Sequence, residues 1–132
     1  MNQSEPIGPE EIRLPPRHNQ PYDAPDAATL VASVRDYLHD DLMPRTEGAD
    51  RWLLRVAANA LSIAGREMEL GPIHREAHLT RLNSLGMGTD RDLAEAIRRG
   101  DLDERWTEVS AAVRASVADS LSVANPSYSI DD

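Results

Sequence analysis

The stretch from Arg51 to Gly71, RWLLRVAANALSIAGREMELG, limits what this chain can fold into more than any other. It is the longest uninterrupted helical pattern and the least polar one. Trp52, Leu53, Val56, Ala57, Ala60, Leu61, Ile63, Ala64 and Met68 spread over a broad arc of helix surface. An arc this wide predicts burial on more than one side, as for the central helix of a bundle. Arg55, Asn59, Ser62 and Arg66 fall at alternating four- and three-residue steps and form one narrow polar stripe. Glu67 does not join that stripe. It lies beside Val56, Ala60 and Ile63 inside the apolar arc, where a buried carboxylate needs an arginine partner or a proton. Gly71 followed by Pro72 predicts the end of the helix.

Other helices are marked by the same signals. Asp26 is placed to cap a first helix whose apolar face is Leu30, Val31, Val34, Leu38 and Leu42, with Asp23 a competing cap because Pro25 would suit the first turn. Pro44 stops it near Leu42, and Asp50 is a candidate cap for the long helix. A less regular helix is expected from about Pro72 to Leu85. Thr89 caps a short one that ends at Gly100 with Arg98 and Arg99 against the dipole. Asp101 and Glu104 have capping-box spacing before a last helix striped by Leu102, Trp106, Val109, Val113, Val117, Leu121 and Ala124. Asn125-Pro126 ends that helix. The expected fold is all-α, a compact bundle of about five helices over residues 26–128. With no Phe, the core must be aliphatic, with Trp52 and Trp106 as its largest pieces.

Residues 1–25 differ in kind. Six of the nine prolines lie there, with few apolar residues beyond Ile7, Ile12, Leu14 and Tyr22. Such a segment buries too little surface to offset its ordering entropy, so it reads as a proline-rich extended or disordered arm. Ile12, Leu14 and Tyr22 could anchor it on a partner. Residues 129–132 form a short tail.

Charge and composition exclude several functions. The net charge is −9 and every one of the 14 basic residues is Arg, which argues against nucleic-acid or anionic-membrane surfaces. Without Cys there is no disulfide, thiol nucleophile or thiolate metal site. No stretch has the length and apolarity of a membrane span, and the start lacks a signal-peptide apolar run, so the expected location is the cytoplasm.

Catalytic patterns are sparse. His74 and His78 stand at i and i+4 and form half of a conceivable metal site, with His39 or Asp40 as a third ligand. Two histidines on a solvated helix face are the commoner case. Asp40 and Asp41 beside His39 read as a solvated charge run. Ser110, Ser116, Ser120 and Ser122 have no sequence-evident base, and GMG at 86–88 is a turn rather than a phosphate loop. This leaves Arg55, Asn59, Arg66 and Glu67 as the feature a bundle does not explain. They form either a buried Arg–Glu pair with an Asn tying down a helix end, or a polar face for a partner or its anionic ligand.

The run RVAANALSIAGRE (Arg55 to Glu67), with LVASVRDYL (Leu30 to Leu38), REMELG (Arg66 to Gly71) and LSVANPSY (Leu121 to Tyr128), resembles a family of small helical bacterial domains. Such domains lie beside, or fused to, aminoglycoside-phosphotransferase-like kinases. The likeness spans Ala27 to Tyr128, although the proline-rich start is longer than the family pattern. It implies a non-catalytic accessory subunit of a kinase that phosphorylates hydroxyacyl-CoA thioesters in short-chain hydroxy- and keto-acid catabolism. ATP and Mg would then belong to the partner kinase, with no cofactor on this chain. It also singles out Asn125 and Tyr128 beside Arg55, Asn59, Arg66 and Glu67 as partner- or ligand-binding candidates. The competing expectations are a helical module binding CoA thioesters, with Arg55 and Arg66 on the phosphates, and a small metal-dependent enzyme using His74 and His78.

Overall fold

The computed structural model describes Pro21 and residues 24–128. The proposed arm anchors Ile12, Leu14 and Tyr22, the competing cap Asp23 and the tail after Tyr128 lie outside the described residues. Within them the chain is all-α, with no strand. Helix α1 spans Ala27–Asp36, α2 Gly48–Ser84, α3 Asp90–Arg99 and α4 Trp106–Ala124.

Local chemistry explains most of the boundaries. Asp26 accepts from the Thr29 amide at 2.8 Å and from its hydroxyl at 2.7 Å, capping α1. After Asp36 the helix widens into a π turn over Tyr37–Leu42, where the Met43 amide reaches back to the Leu38 carbonyl. Pro44 then sits in a 3₁₀ turn, Met43–Arg45. The Thr89 hydroxyl accepts from the Asp92 amide at 3.1 Å and donates to its carboxylate at 2.8 Å, capping α3. Gly100, at φ 77°, closes α3 in the left-handed conformation that favours glycine.

Two capping expectations are corrected. Helix α2 begins at Gly48, before Asp50, which lies in its first turn. Asp101 and Glu104 form no capping box: Asp101 accepts from Arg99 at 2.9 Å instead, and the 3₁₀ turn Asp103–Arg105 leads into α4.

The largest correction concerns Pro72. The two helices expected on either side of it are a single helix of 37 residues, so the described residues hold four α-helices rather than about five. A proline inside a helix removes one hydrogen bond, here to the Met68 carbonyl, and crowds the preceding turn. Antiparallel α4 spans the weak point like a splint. Arg66, before the proline, donates to the Val123 carbonyl at 2.7 Å. Arg81, after it, donates to Asp119 at 2.8 Å. Pro72→Ala is expected to raise stability by on the order of 1–2 kcal/mol, readable in chemical denaturation, because it restores that hydrogen bond at some cost in unfolded-state entropy.

The buried core is displaced toward one end. Leu82, Leu85, Leu93, Ala96, Leu102 and Val109 cluster where the end of α2 meets α3 and α4, with Met87, Ile97 and Ala112 packed against them. Toward its N-terminus α2 pairs with α1 as an antiparallel hairpin, with Val31 of α1 against Gly65 of α2. There only Met43 and Ala58 are buried. The tryptophans are therefore not core pieces: Trp52 is 62% exposed and Trp106 59%. Of the α1 face, Leu30 and Val34 also remain exposed.

Arg105 fastens the start of α4. It donates to Glu108 at 2.8 Å and to the Ser84 carbonyl at 3.2 Å. The hydrogen bond from Arg105, and then its charge, hold the Glu108 carboxyl below the usual carboxylate range. A lowered folded-state value means stability present above the ordinary carboxylate pKa and lost as pH falls through the lowered one. Denaturation of Glu108→Gln beside the parent chain is expected to show a small deficit at neutral pH that closes over that acidic window.

Candidate functional site

The polar stripe of α2 is divided by its neighbours. Arg55 and Asn59 are exposed and, with Arg35 and His39 of the α1 hairpin, Ala58 and Ser62, line a shallow hollow of about 180 Å³. Arg35 donates to the Ser62 hydroxyl at 3.2 Å, and Ser62 in turn donates to the Ala58 carbonyl at 3.0 Å. Arg66 lines an adjoining hollow of about 330 Å³ that shares Arg35 and Ser62. Its Nε is committed to the Val123 carbonyl, one of the acceptors that the end of α4 leaves without a helical partner.

Glu67 is exposed, so of the two arrangements expected for these residues the buried Arg–Glu pair is not the one formed. Helix α4 leaves that part of the arc open, so the carboxylate faces a groove between α2 and α4 rather than a dry core. Asn125 follows the end of α4 and accepts from Ser127 at 2.8 Å, while Tyr128 is exposed. Thus Arg55 and Asn59 are brought together, Arg66 turns to the end of α4, and Asn125 and Tyr128 lie just beyond it.

On the opposite side of the stripe the N-terminal part of the apolar arc is exposed. Besides Trp52, Leu53 is 54% exposed and Val56 46%. Helix α1 packs on the far side, through Ala58, Ser62 and Gly65. The expected burial on more than one side therefore fails for this part of α2.

A second polar cluster was not legible in the sequence. His78 of α2 stands between two partners: Nε2 lies 2.8 Å from Asp90 of α3, and Nδ1 lies 2.9 Å from the Ser116 hydroxyl of α4. A carboxylate only accepts, so neutral His78 carries its proton on Nε2 and leaves Nδ1 to accept from Ser116. Arg81 donates to the same hydroxyl at 3.2 Å and to Asp119 at 2.8 Å, and His74 approaches Asp119 at 3.8 Å. The two histidines do share a face, but they serve different partners. Among the described residues no three His, Cys, Asp or Glu side chains gather to hold a metal.

Ser116, His78 and Asp90 have the order of a hydroxyl, a base and an orienting carboxylate. Interior α4 amides are bonded within the helix, so Ser116's own helix supplies no backbone donor beside it. What the geometry offers is a hydrogen-bonding corner. It borders a pocket of about 220 Å³ walled by Leu82, Leu85, Leu93, Val113 and Val117. The available signal was polar residues beside inward stripes: Ser116 and Asp119 on α4, and His78 and Arg81 on α2, each pair spaced i, i+3.

No helix among the described residues is long and apolar enough to cross a membrane. No curated protein and no solved structure matches the chain. A family model described as a domain of unknown function, DUF6285, matches residues 44–128, from the turn before α2 to the segment after α4. That match spans more than half of the chain and contains the polar stripe of α2, the second polar cluster and the open apolar arc, so the chain belongs to the DUF6285 family.

Proposed function

We propose that this chain is an accessory subunit that binds and stabilises an aminoglycoside-phosphotransferase-like kinase acting on hydroxyacyl-CoA thioesters. The motif likeness at Arg55 to Gly71 and Leu121 to Tyr128 motivates the choice of partner. The observation that carries the reading is the exposed arc of Trp52, Leu53 and Val56 on one flank of α2. Isolated exposed apolar residues are ordinary, but a contiguous group that includes a tryptophan is the kind of surface partners bury. Arg55 and Asn59 border the arc along the helix and supply the polar rim that interfaces commonly have. ATP, Mg and the phosphoryl-transfer groups would be the kinase's own.

Co-expression with a kinase of that class, followed by size-exclusion chromatography, tests the proposal. The expected result is one complex and a kinase that loses solubility and activity without this chain. Separate elution, with a kinase equally soluble and active alone, would remove the proposal. A chain that self-associates through this arc would already form dimers in the absence of the kinase.

A further inference from the structure

We propose that the pocket between α2, α3 and α4 binds a short aliphatic chain ending in an uncharged hydroxyl head. This goes beyond the kinase partnership and does not depend on it. The walls are Leu82, Leu85 and Leu93, which are buried, with Val113 and Val117 of α4, which remain partly open to solvent. Its volume of about 220 Å³ exceeds the roughly 150 Å³ of an apolar cavity that holds benzene, so a chain of about six carbons fits. Apolar walls with a few convergent polar groups are the usual make-up of a small-molecule site.

His78, Arg81, Asp90 and Ser116 meet at one corner, with Ser120 one turn farther along α4, and they select the head. Ser116 is held as a hydroxyl between His78 and Arg81. Around it stand one guanidinium, Arg81, and two carboxylates, Asp90 and Asp119. Farther along the adjoining groove, Arg75 and Glu67 cancel one another, and His74 faces Asp119. A carboxylate head would meet like charge, with Arg81 already engaged by Asp119. An alcohol can donate to the lone pair that Ser116 Oγ keeps beside its bond from Arg81, without that repulsion.

Ligand-observed NMR on the full chain, with n-hexanol and hexanoate as probes at neutral pH, tests the assignment. Hexanol is expected to bind at least about tenfold more tightly than hexanoate. Ser116→Ala should weaken hexanol several-fold, in line with one lost hydrogen bond. Val113→Trp or Val117→Trp, each checked for retained helicity, should fill the pocket and abolish binding. Absence of hexanol binding at millimolar concentration, hexanoate binding as tightly as hexanol, or unchanged binding in both folded tryptophan variants would overturn the proposal.

Discussion

Replacing Leu82 with alanine is expected to lower the stability of this chain by about 3 kcal/mol, within the roughly 2–5 kcal/mol range for buried leucines. Leu82 is 3% exposed and belongs to the single cluster that joins the end of α2 to α3 and α4. Its loss leaves a void between Leu85, Leu93 and Val109, with little other core to compensate. In a domain this small the melting temperature should fall by well over 10 °C, at roughly 4–8 °C per kcal/mol. Leu53→Ala is the control. The same side chain is lost, but from a position 54% exposed, and the expected change is within about 0.5 kcal/mol. Equal losses in the two variants, measured by thermal and urea denaturation, would mean that the core extends along α2 after all.

The second large effect separates stability from association. Trp52→Glu combined with Val56→Glu should leave the melting temperature nearly unchanged, because both side chains already face solvent. In the proposed complex the same pair would place two charges in the apolar centre of an interface. Loss of a tryptophan anchor alone typically costs 2 kcal/mol or more, about 30-fold in affinity. Titration of the kinase with the parent and the double variant, alongside their melting curves, reads both quantities. A double variant that binds as tightly as the parent would place the interface elsewhere.

Local chemistry made much of the fold legible. The caps at Asp26 and Thr89, the Gly100 stop and the Asn125-Pro126 end depend on interactions within a turn or two, and those residues specify them. Features set by distant packing were not legible. The passage of α2 through Pro72 is supported by α4 contacts from Arg66 and Arg81, 57 and 38 residues away in sequence. His78 finds Ser116 at a separation of 38 residues, so helical spacing within α2 suggested only a shared histidine face. Periodicity correctly located a wide apolar arc on α2, but it could not say whether the covering surface belonged to this chain. The described chain leaves Trp52, Leu53 and Val56 exposed.

That uncovered surface is the centre of the account, and fluorine NMR of 5-fluorotryptophan-labelled chain tests it most directly. The two tryptophans give two signals, Trp52 on the open arc and Trp106 at the start of α4. On addition of the unlabelled kinase, the Trp52 resonance is predicted to shift and broaden while that of Trp106 keeps its position. A Trp52 signal unmoved by saturating kinase, or a response confined to Trp106, would contradict the assignment of this face as the docking surface.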